Sequence, residues 1–155
     1  MEPLFKTMTK YNFDEYKKFA RIHYWKSLKM LRFLIIYETI FIPGFILTKN
    51  TTFLYTTIFL PIFLVIFQNI IIKKVYNSSK IAHDLEVSFE FYNDYFMKKD
   101  KTGETKIEYN NIHKIIETKT HFYIMIAMNQ GYILVKENFP EGLEDFIRKL
   151  DVKSK

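Results

Sequence analysis

The longest apolar run of the chain covers residues 51–72 and contains no charged side chain. A helix rises 1.5 Å per residue, so about 20 apolar residues span the roughly 30 Å hydrocarbon core of a bilayer. Apolar side chains in this run surround the helix axis, and such a helix must be covered on all sides. A chain of 155 residues is too short to supply that cover. We therefore predict a transmembrane helix over residues 51–72, with a kink at Pro61.

A second apolar block, residues 31–47, contains Glu38 and the pair Pro43-Gly44. Two interpretations are open: a first membrane span, or a re-entrant or interfacial segment. We favour the span, because an antiparallel pair joined at residues 48–52 returns both ends of the chain to one side. Charged residues within a span are costly and by default indicate function, so Glu38 is a candidate intramembrane functional residue.

The residues before the apolar blocks predict an amphipathic lead-in helix within residues 1–30. Asn12 is a suitable N-cap, and Asp14 and Glu15 lie in the first turn, where acidic side chains suit the helix dipole. The aromatic pair Tyr24-Trp25 lies among lysines and is typical of a membrane interface. We expect this helix to lead from the cytoplasm into the first span.

From Leu85 onward the hydrophobic pattern changes to a period of two, which predicts β-strands. Closely spaced turn signals separate the strands and favour an antiparallel meander forming one curved sheet. After the strands, Asn138 is the predicted N-cap of an amphipathic helix, with its apolar residues at helical spacing: Leu143, Phe146, Ile147 and Leu150. We predict a separately folded cytoplasmic domain over residues 85–151. The fold class is thus an α+β membrane protein, with a two-helix transmembrane hairpin (31–47 and 51–72) and a small sheet-plus-helix domain.

The distribution of charge bears on orientation. The formal net charge is +6, and eight Lys or Arg residues lie within residues 1–32. Lys73, Lys74 and Lys80 follow the second apolar block, whereas only Lys49 lies between the two blocks. Under the positive-inside rule, this pattern predicts both termini in the cytoplasm and the chain in the cell (inner or plasma) membrane. A basic excess confined to the flanks of apolar blocks also argues against nucleic-acid binding.

The sequence contains no candidate constellation of catalytic residues. The chain has no Cys, so thiol catalysis, disulfides and Cys-ligated zinc are excluded. The four histidines are scattered, and their spacing matches no zinc motif: His23, His83, His113 and His121. His113 and His121 fall on strands and are interpreted as a surface pair. We predict no enzyme activity, no metal and no cofactor.

Several segments resemble a known family. They are VSFEFYNDYF (87–96), IEYNNIHKIIETKTHFYIMI (107–126) and GYILVKENFPEG (131–142). In this order, after a two-helix block, they are similar to the YcxB-like family of small bacterial membrane proteins. The resemblance implies two spans and a cytoplasmic C-terminal domain similar to a reduced pleckstrin-homology-like barrel. It implies no catalytic residue.

Two functional hypotheses follow. The first is a non-catalytic binding or regulatory module held at the inner membrane face, with an unknown cytoplasmic protein or an anionic lipid headgroup as partner. Its expected lipid contacts are Lys73, Lys74 and Lys80, with a second candidate patch at Lys98, Lys99 and Lys101. The alternative is an oligomeric transport or channel-type protein that uses Glu38 within the membrane. A soluble enzyme would require the full-length chain to stay in the aqueous phase without detergent.

Overall fold

The computed structural model describes residues 2–26, 28–78, 85–128 and 130–150, without the side chains of residues 23–31. This part of the chain contains four α-helices and two antiparallel β-sheets. It divides into two compact units. One unit combines residues 1–16 with residues 81–155, and the other is Lys17–Lys80. The chain is therefore α+β, as predicted.

Helices dominate the unit Lys17–Lys80. Helix α1 covers Phe13–Lys26, α2 covers Leu28–Thr48, and α3 covers Thr51–Ser78. Helices α2 and α3 pack against each other and form a hairpin with the connection Lys49-Asn50. Among the described residues, α3 alone is a helix long and apolar enough to cross a membrane. The crossing of α2 stays a prediction.

The hairpin connection is fixed by local hydrogen bonds. Lys49 adopts a left-handed conformation with φ 55° and donates its N–H to the Phe45 carbonyl at 2.8 Å. The Asn50 side chain accepts the N–H of Thr52 at 2.9 Å, which caps the start of α3. Next to the connection, a Cβ atom on Gly44 would lie 2.9 Å from the ring of Phe53, so glycine lets the helices approach closely here.

The other unit contains all the strands. A four-stranded sheet has the order β1-β2-β3-β4, and a three-stranded sheet has the order β5-β6-β7. The bounds are β1 Phe5–Tyr11, β2 Leu85–Phe91, β3 Tyr95–Asp100, β4 Gly103–Glu108, β5 Lys114–Glu117, β6 His121–Met125 and β7 Gly131–Val135. The predicted meander is thus present, but as two sheets instead of one curved sheet.

Strand β1 corrects the prediction that residues 1–30 are a lead-in helix. Phe5–Tyr11 pairs antiparallel with β2, and the helix begins only at Phe13. Within β1, Thr7 and Thr9 face inward and are buried, while the alternate residues Lys6, Met8 and Lys10 are exposed. The domain boundary at residue 85 is corrected for the same reason, because residues 1–16 belong to the same compact unit.

Strand β1 also joins the two sheets, through side chains. The Thr9 hydroxyl accepts the Val135 N–H at 3.3 Å, and the Tyr11 hydroxyl accepts the Ile133 N–H at 2.9 Å. Both donors lie on β7, so the side chains of β1 satisfy backbone groups of the second sheet. Without them these amides would be left unpaired at a partly buried position, which is costly.

The last helix, α4, covers Leu143–Lys149, so the predicted start at Asn138 is wrong. Gly142 is the N-cap, in a left-handed conformation with φ 84°. The Asn138 side chain instead donates to the Met8 carbonyl at 2.8 Å, and so does not cap a helix. Leu143 and Ile147 of α4 are buried in the core between the sheets, whose buried members include Val87, Phe89, Phe91, Phe96, Phe122, Ile124 and Leu134.

Candidate functional site

Two of the predicted lipid-contact lysines lie at the end of α3. Lys73 and Lys74 are exposed, and neither forms an ion pair with another residue that the structure describes. They follow the apolar part of α3 directly, so their ammonium groups are available to an anionic partner. Lys80 lies outside the described residues.

The second predicted patch, Lys98, Lys99 and Lys101, does not form one surface. Lys98 points to the inner side of the sheet, where its side chain is 19% exposed and pairs with Asp100. Lys99 is on the outer face, 2.9 Å from Glu90 and 3.6 Å from Glu104. Lys101 lies exposed in the following turn. Alternation along β3 therefore separates the three lysines, and acidic partners neutralise two of them.

The pKa values of the acidic partners reflect these ion pairs. Burial alone would raise the pKa of Asp100, but hydrogen bonds from Lys98 and Thr102 outweigh it and hold the pKa at about 2. The hydrogen bond from Lys99 lowers the pKa of Glu90, and the same bond raises the pKa of Lys99. Glu90 itself is only 8% exposed, although it lies on the outer face of the sheet.

The outer face of the four-stranded sheet is balanced in charge. The strand register brings lysines and glutamates into alternating positions across the face. The lysines are Lys6, Lys10, Lys99 and Lys106, and the glutamates are Glu86, Glu90, Glu104 and Glu108. Lys6 pairs with Glu90 at 3.2 Å, and Lys106 with Glu108 at 3.6 Å. This face therefore lacks the cationic excess that an anionic membrane surface selects.

A third cluster surrounds His121 at the start of β6. The imidazole is buried, with Nε2 bonded to the Glu15 carboxylate and Nδ1 2.6 Å from the Thr120 hydroxyl. Its ring stacks on Tyr123 at 5.6 Å. Burial, with the nearby Glu15 charge, raises the pKa of Tyr123 to about 12. The cluster ties the first turn of α1 to the second sheet.

This cluster was not predicted from the sequence, in which His121 and His113 were interpreted as a surface pair. The two histidines instead lie at opposite ends of the β5-β6 pair, because His113 bonds to Met125 and His121 to Thr118. A period-two pattern gives the face of a strand residue, but not the helix that covers that face. The described part of the chain holds no group of three or more His, Asp or Glu side chains arranged for a metal ion.

An ion-pair network links β5, the segment after β7, and α4. Glu117 accepts hydrogen bonds from Lys136 at 2.6 Å and from Arg148 Nη2 at 2.6 Å. Lys136 also contacts Glu144 at 2.8 Å. Hydrogen bonds from Arg148 and Lys136 lower the pKa of Glu117 to about 2. The network holds α4 against the second sheet, and its charged side chains are paired with one another.

Glu38 lies on α2 beside an open groove of about 480 Å³. The groove is lined by Leu34, Ile35, Glu38, Thr39, Ile42 and Pro43. The Oε2 atom of Glu38 is buried and has no hydrogen-bond partner among the described residues. A buried carboxyl oxygen without a donor is expensive, so this atom needs an explanation.

Comparison with protein families gives a match within the sheet unit. Residues 91–150 match the family model described as YcxB-like protein. These residues are similar to that family, and the sheet unit that contains them is called the YcxB-like domain below. The resemblance inferred from the sequence is thereby confirmed for this part of the chain. The chain matches no curated protein and no solved structure.

The match begins at Phe91, the last residue of β2. Strand β1 and nearly all of β2 therefore lie outside the matched residues. In the structure, however, the YcxB-like domain shares one core and one sheet with these two strands. The domain thus takes its first strand from the chain before the helices, and the remaining strands from the chain after them.

Proposed function

We propose that this protein is an integral membrane protein in which the α2-α3 hairpin crosses the bilayer twice and the YcxB-like domain is a non-catalytic binding module. Helix α3 supports the membrane part, being long and apolar enough to span a bilayer. Its exposed apolar residues cover the side of the helix that α2 leaves uncovered, as a lipid-facing helix requires: Leu54, Tyr55, Ile58, Phe59, Ile62, Phe63, Val65, Ile66, Phe67 and Ile70.

The pairing of β1 with β2 is the observation that carries the double crossing. Strand β1 precedes the helices and β2 follows them, yet the two are hydrogen-bonded along their whole length. A sheet cannot continue through a bilayer between two aqueous sides, because lipid offers no partners to an open edge. Both ends of the helical region must then lie on one side of the membrane. If α3 crosses, α2 must cross back.

The charge distribution supports a cytoplasmic location for that side. Basic residues are concentrated before α2 and at the end of α3, whereas the connection between α2 and α3 contains only Lys49. Such an excess near span ends favours retention in the cytoplasm. In this orientation Lys73 and Lys74 emerge at the level of anionic headgroups, which attract each nearby lysine by about 1 kcal/mol.

The sheet unit supports a binding role and a pleckstrin-homology-like architecture. Four strands plus three strands, closed by a C-terminal helix, follow the order expected of such a domain. With β1 included, the strand set is fuller than the reduced version that the sequence suggested. The helices α1 to α3 are then an insertion between the first two strands. We propose a protein partner for the domain itself, because its outer face is balanced in charge, and a lipid contact for Lys73 and Lys74.

Cysteine accessibility in intact cells tests the topology, because the natural chain has no Cys. Three single variants are needed: Lys49→Cys in the connection, Met8→Cys on β1 and Lys101→Cys in the β3-β4 turn. An impermeant thiol reagent should label Lys49→Cys directly, and should label Met8→Cys and Lys101→Cys only after permeabilisation. If Met8→Cys and Lys101→Cys differ in accessibility, the two strands lie on opposite sides and the proposal is wrong.

A further inference from the structure

The two helices of the hairpin carry the same sequence pattern. Residues 37–43 read YETIFIP in α2, and residues 55–61 read YTTIFLP in α3. The copies differ only at Glu38, which corresponds to Thr56, and at Ile42, which corresponds to Leu60. Because α2 and α3 are antiparallel, the pattern forms an inverted repeat. In membrane proteins, paired proline-interrupted segments in inverted repeats indicate a binding site.

Each proline frees a backbone carbonyl in the apolar helices. A proline has no N–H, so the carbonyl four residues earlier lacks its intrahelical donor. Pro43 frees the carbonyl of Thr39, and Pro61 frees the carbonyl of Thr57. In an apolar surrounding such an oxygen requires another partner, which can be a donor or a cation.

Two side-chain oxygens add to these carbonyls. Glu38 Oε2 and Thr57 Oγ1 are both buried, and neither has a hydrogen-bond partner in the described part of the chain. Thr56, next to Thr57, behaves differently: its hydroxyl is satisfied by the backbone carbonyls of Thr52 and Phe53, each at 2.9 Å. The lack of a hydrogen-bond partner at Thr57 is therefore not shared by its neighbour Thr56 in α3.

The packing of the hairpin brings the unpartnered oxygens to the same level along the helix axes. Phe53 contacts both Gly44 and Phe41, which sets the alignment of the two helices. Counting 1.5 Å per residue from these contacts, Glu38 and Thr57 lie at the same height to within about one helical turn. At 3.6 residues per turn, Thr57 lies about 40° from Phe53 around α3, and Glu38 about 60° from Phe41 around α2, so both residues flank the contact between the helices.

We propose that Glu38, the Thr57 hydroxyl and the freed Thr57 carbonyl form a binding site for a small monovalent cation, either a proton or an alkali ion. Carboxylate, hydroxyl and carbonyl oxygens are ligands of hard cations. One carboxylate balances one positive charge, so the occupied site is neutral, which suits an apolar surrounding. This inference rests on the proposed location of the hairpin in the bilayer.

Few other titratable or charged groups face this site from the packed helices. The nearest charged residues along α2 and α3 are Arg32, Lys49 and Lys73, all near the ends of the apolar segments. The nearest titratable neighbours are Tyr37, which stacks on Phe41 at 4.1 Å, and the exposed Tyr55. No described cation is therefore placed to neutralise Glu38 from within the hairpin.

The site can be tested with dicyclohexylcarbodiimide, an apolar reagent that modifies protonated carboxyl groups within membranes. The full-length chain is reconstituted in liposomes, and modification of the peptide containing Glu38 is followed by mass spectrometry. We expect Glu38 to be modified, and the rate to fall as the pH rises. Protection by Na⁺ or K⁺, relative to choline at the same pH, assigns an alkali ion; pH dependence without such protection assigns a proton.

Matched variants test the ligand set. Thr57→Val removes the hydroxyl, and Pro61→Ala returns a donor to the Thr57 carbonyl. Each should change the modification rate at fixed pH by about tenfold, the effect of one hydrogen bond to a charged group. Thr56→Val is the control and should stay within about twofold, since its hydroxyl bonds to its own helix. Equal effects of Thr57→Val and Thr56→Val, or a rate independent of both pH and salt, would overturn the site.

Failure of the membrane proposal is distinguished by a separate measurement on the same sample. If alkaline carbonate releases the chain from the membrane, or if a water-soluble carbodiimide modifies Glu38 equally well, the hairpin is not in lipid and the proposed function is wrong. If the chain resists extraction but Glu38 modification ignores pH, salt and Thr57→Val, only the cation site is wrong.

Discussion

Met8 and Ser88 lie directly opposite each other on β1 and β2, although the entire helical region separates them along the chain. Both side chains are on the outer face of the four-stranded sheet. Their pairing shows that the strand before the helices and the strand after them form one structural unit. The YcxB-like domain therefore cannot be considered apart from the N-terminal residues.

The first prediction concerns the dependence of the sheet unit on β1. Residues 85–150 alone lack the strand that covers β2 and that satisfies the Ile133 and Val135 amides. A fusion of residues 2–12 to residues 85–150 through a Gly-Ser linker restores it, since Tyr11 and Leu85 are register partners. We expect the shorter protein to be less stable by about 3 kcal/mol or more. Urea unfolding followed by circular dichroism measures this; equal midpoints would contradict it.

A point substitution refines this test within the fusion. Thr9→Val keeps the shape of a buried side chain but removes the hydroxyl that accepts the Val135 N–H. Loss of that acceptor should cost about 1–3 kcal/mol. Lys10→Gln, at the next position and exposed, is the matched control and should stay within about 0.5 kcal/mol.

The second prediction concerns acid stability. Glu117 and Asp100 have folded-state pKa values of about 2, below their ordinary values of 4.5 and 3.8. As the pH falls through the ordinary values, the unfolded chain takes up protons first, so the free energy of unfolding decreases until about pH 2. Glu117→Gln and Asp100→Asn should each flatten this decrease between pH 5 and 2, measured as melting temperature in a nonionic detergent. Glu141→Gln, an exposed control, should not; equal slopes in all three variants would reject the assignment.

The third prediction concerns the buried pair of His121 and Glu15. Removing one partner leaves the other polar group buried without its main contact. His121→Gln and Glu15→Gln should each cost about 2 kcal/mol or more, and the double variant should cost little more than either, giving a coupling of about 1–3 kcal/mol. Denaturant unfolding of all four proteins measures the cycle, with His113→Gln as a control of small effect. Additive costs would mean that the two groups act independently.

The fourth prediction concerns anionic lipid. Lys73→Gln with Lys74→Gln should weaken binding of phosphatidylglycerol to the detergent-solubilised full-length chain, by about fivefold per lysine. Lys98→Gln with Lys99→Gln should change binding less than twofold, because these lysines are paired with acidic residues. Added salt should reduce the first effect. If the second pair of substitutions weakens binding as much as the first, the β3 lysines are the lipid contact after all.

Elements were predicted most accurately from the sequence where a single pattern of residues defined them. Alternation of large apolar residues located β2, and the lack of charge located α3. The cap at Asn12 is confirmed by its side-chain oxygen, which accepts the Glu15 N–H at 2.9 Å. These features depend on neighbours along the chain, so they can be read without knowledge of the tertiary structure.

The features that the sequence did not predict depend on distant partners. Strand β1 shows two inward threonines instead of large apolar residues, and its partner begins only at Leu85. Lys98 was predicted as a lipid contact, but strand alternation places it on the inner side against Asp100. His121 is buried because α1 brings Glu15 to it from the other end of the chain. The repeat around Glu38 is visible in the sequence, but the alignment of its two copies depends on the packing of α2 against α3.

The most direct test of the account is a disulfide between β1 and β2 in native membranes. The double variant Met8→Cys with Ser88→Cys places two thiols at register partners in a chain that otherwise has no Cys. The control Met8→Cys with Glu104→Cys places the second thiol on β4, beyond bonding distance. After mild oxidation, we expect an intramolecular disulfide in the first variant, seen as a reduction-sensitive mobility shift, and none in the control. Absence of the disulfide from membrane-embedded protein, or its formation equally in the control, would contradict the shared sheet and with it the double crossing.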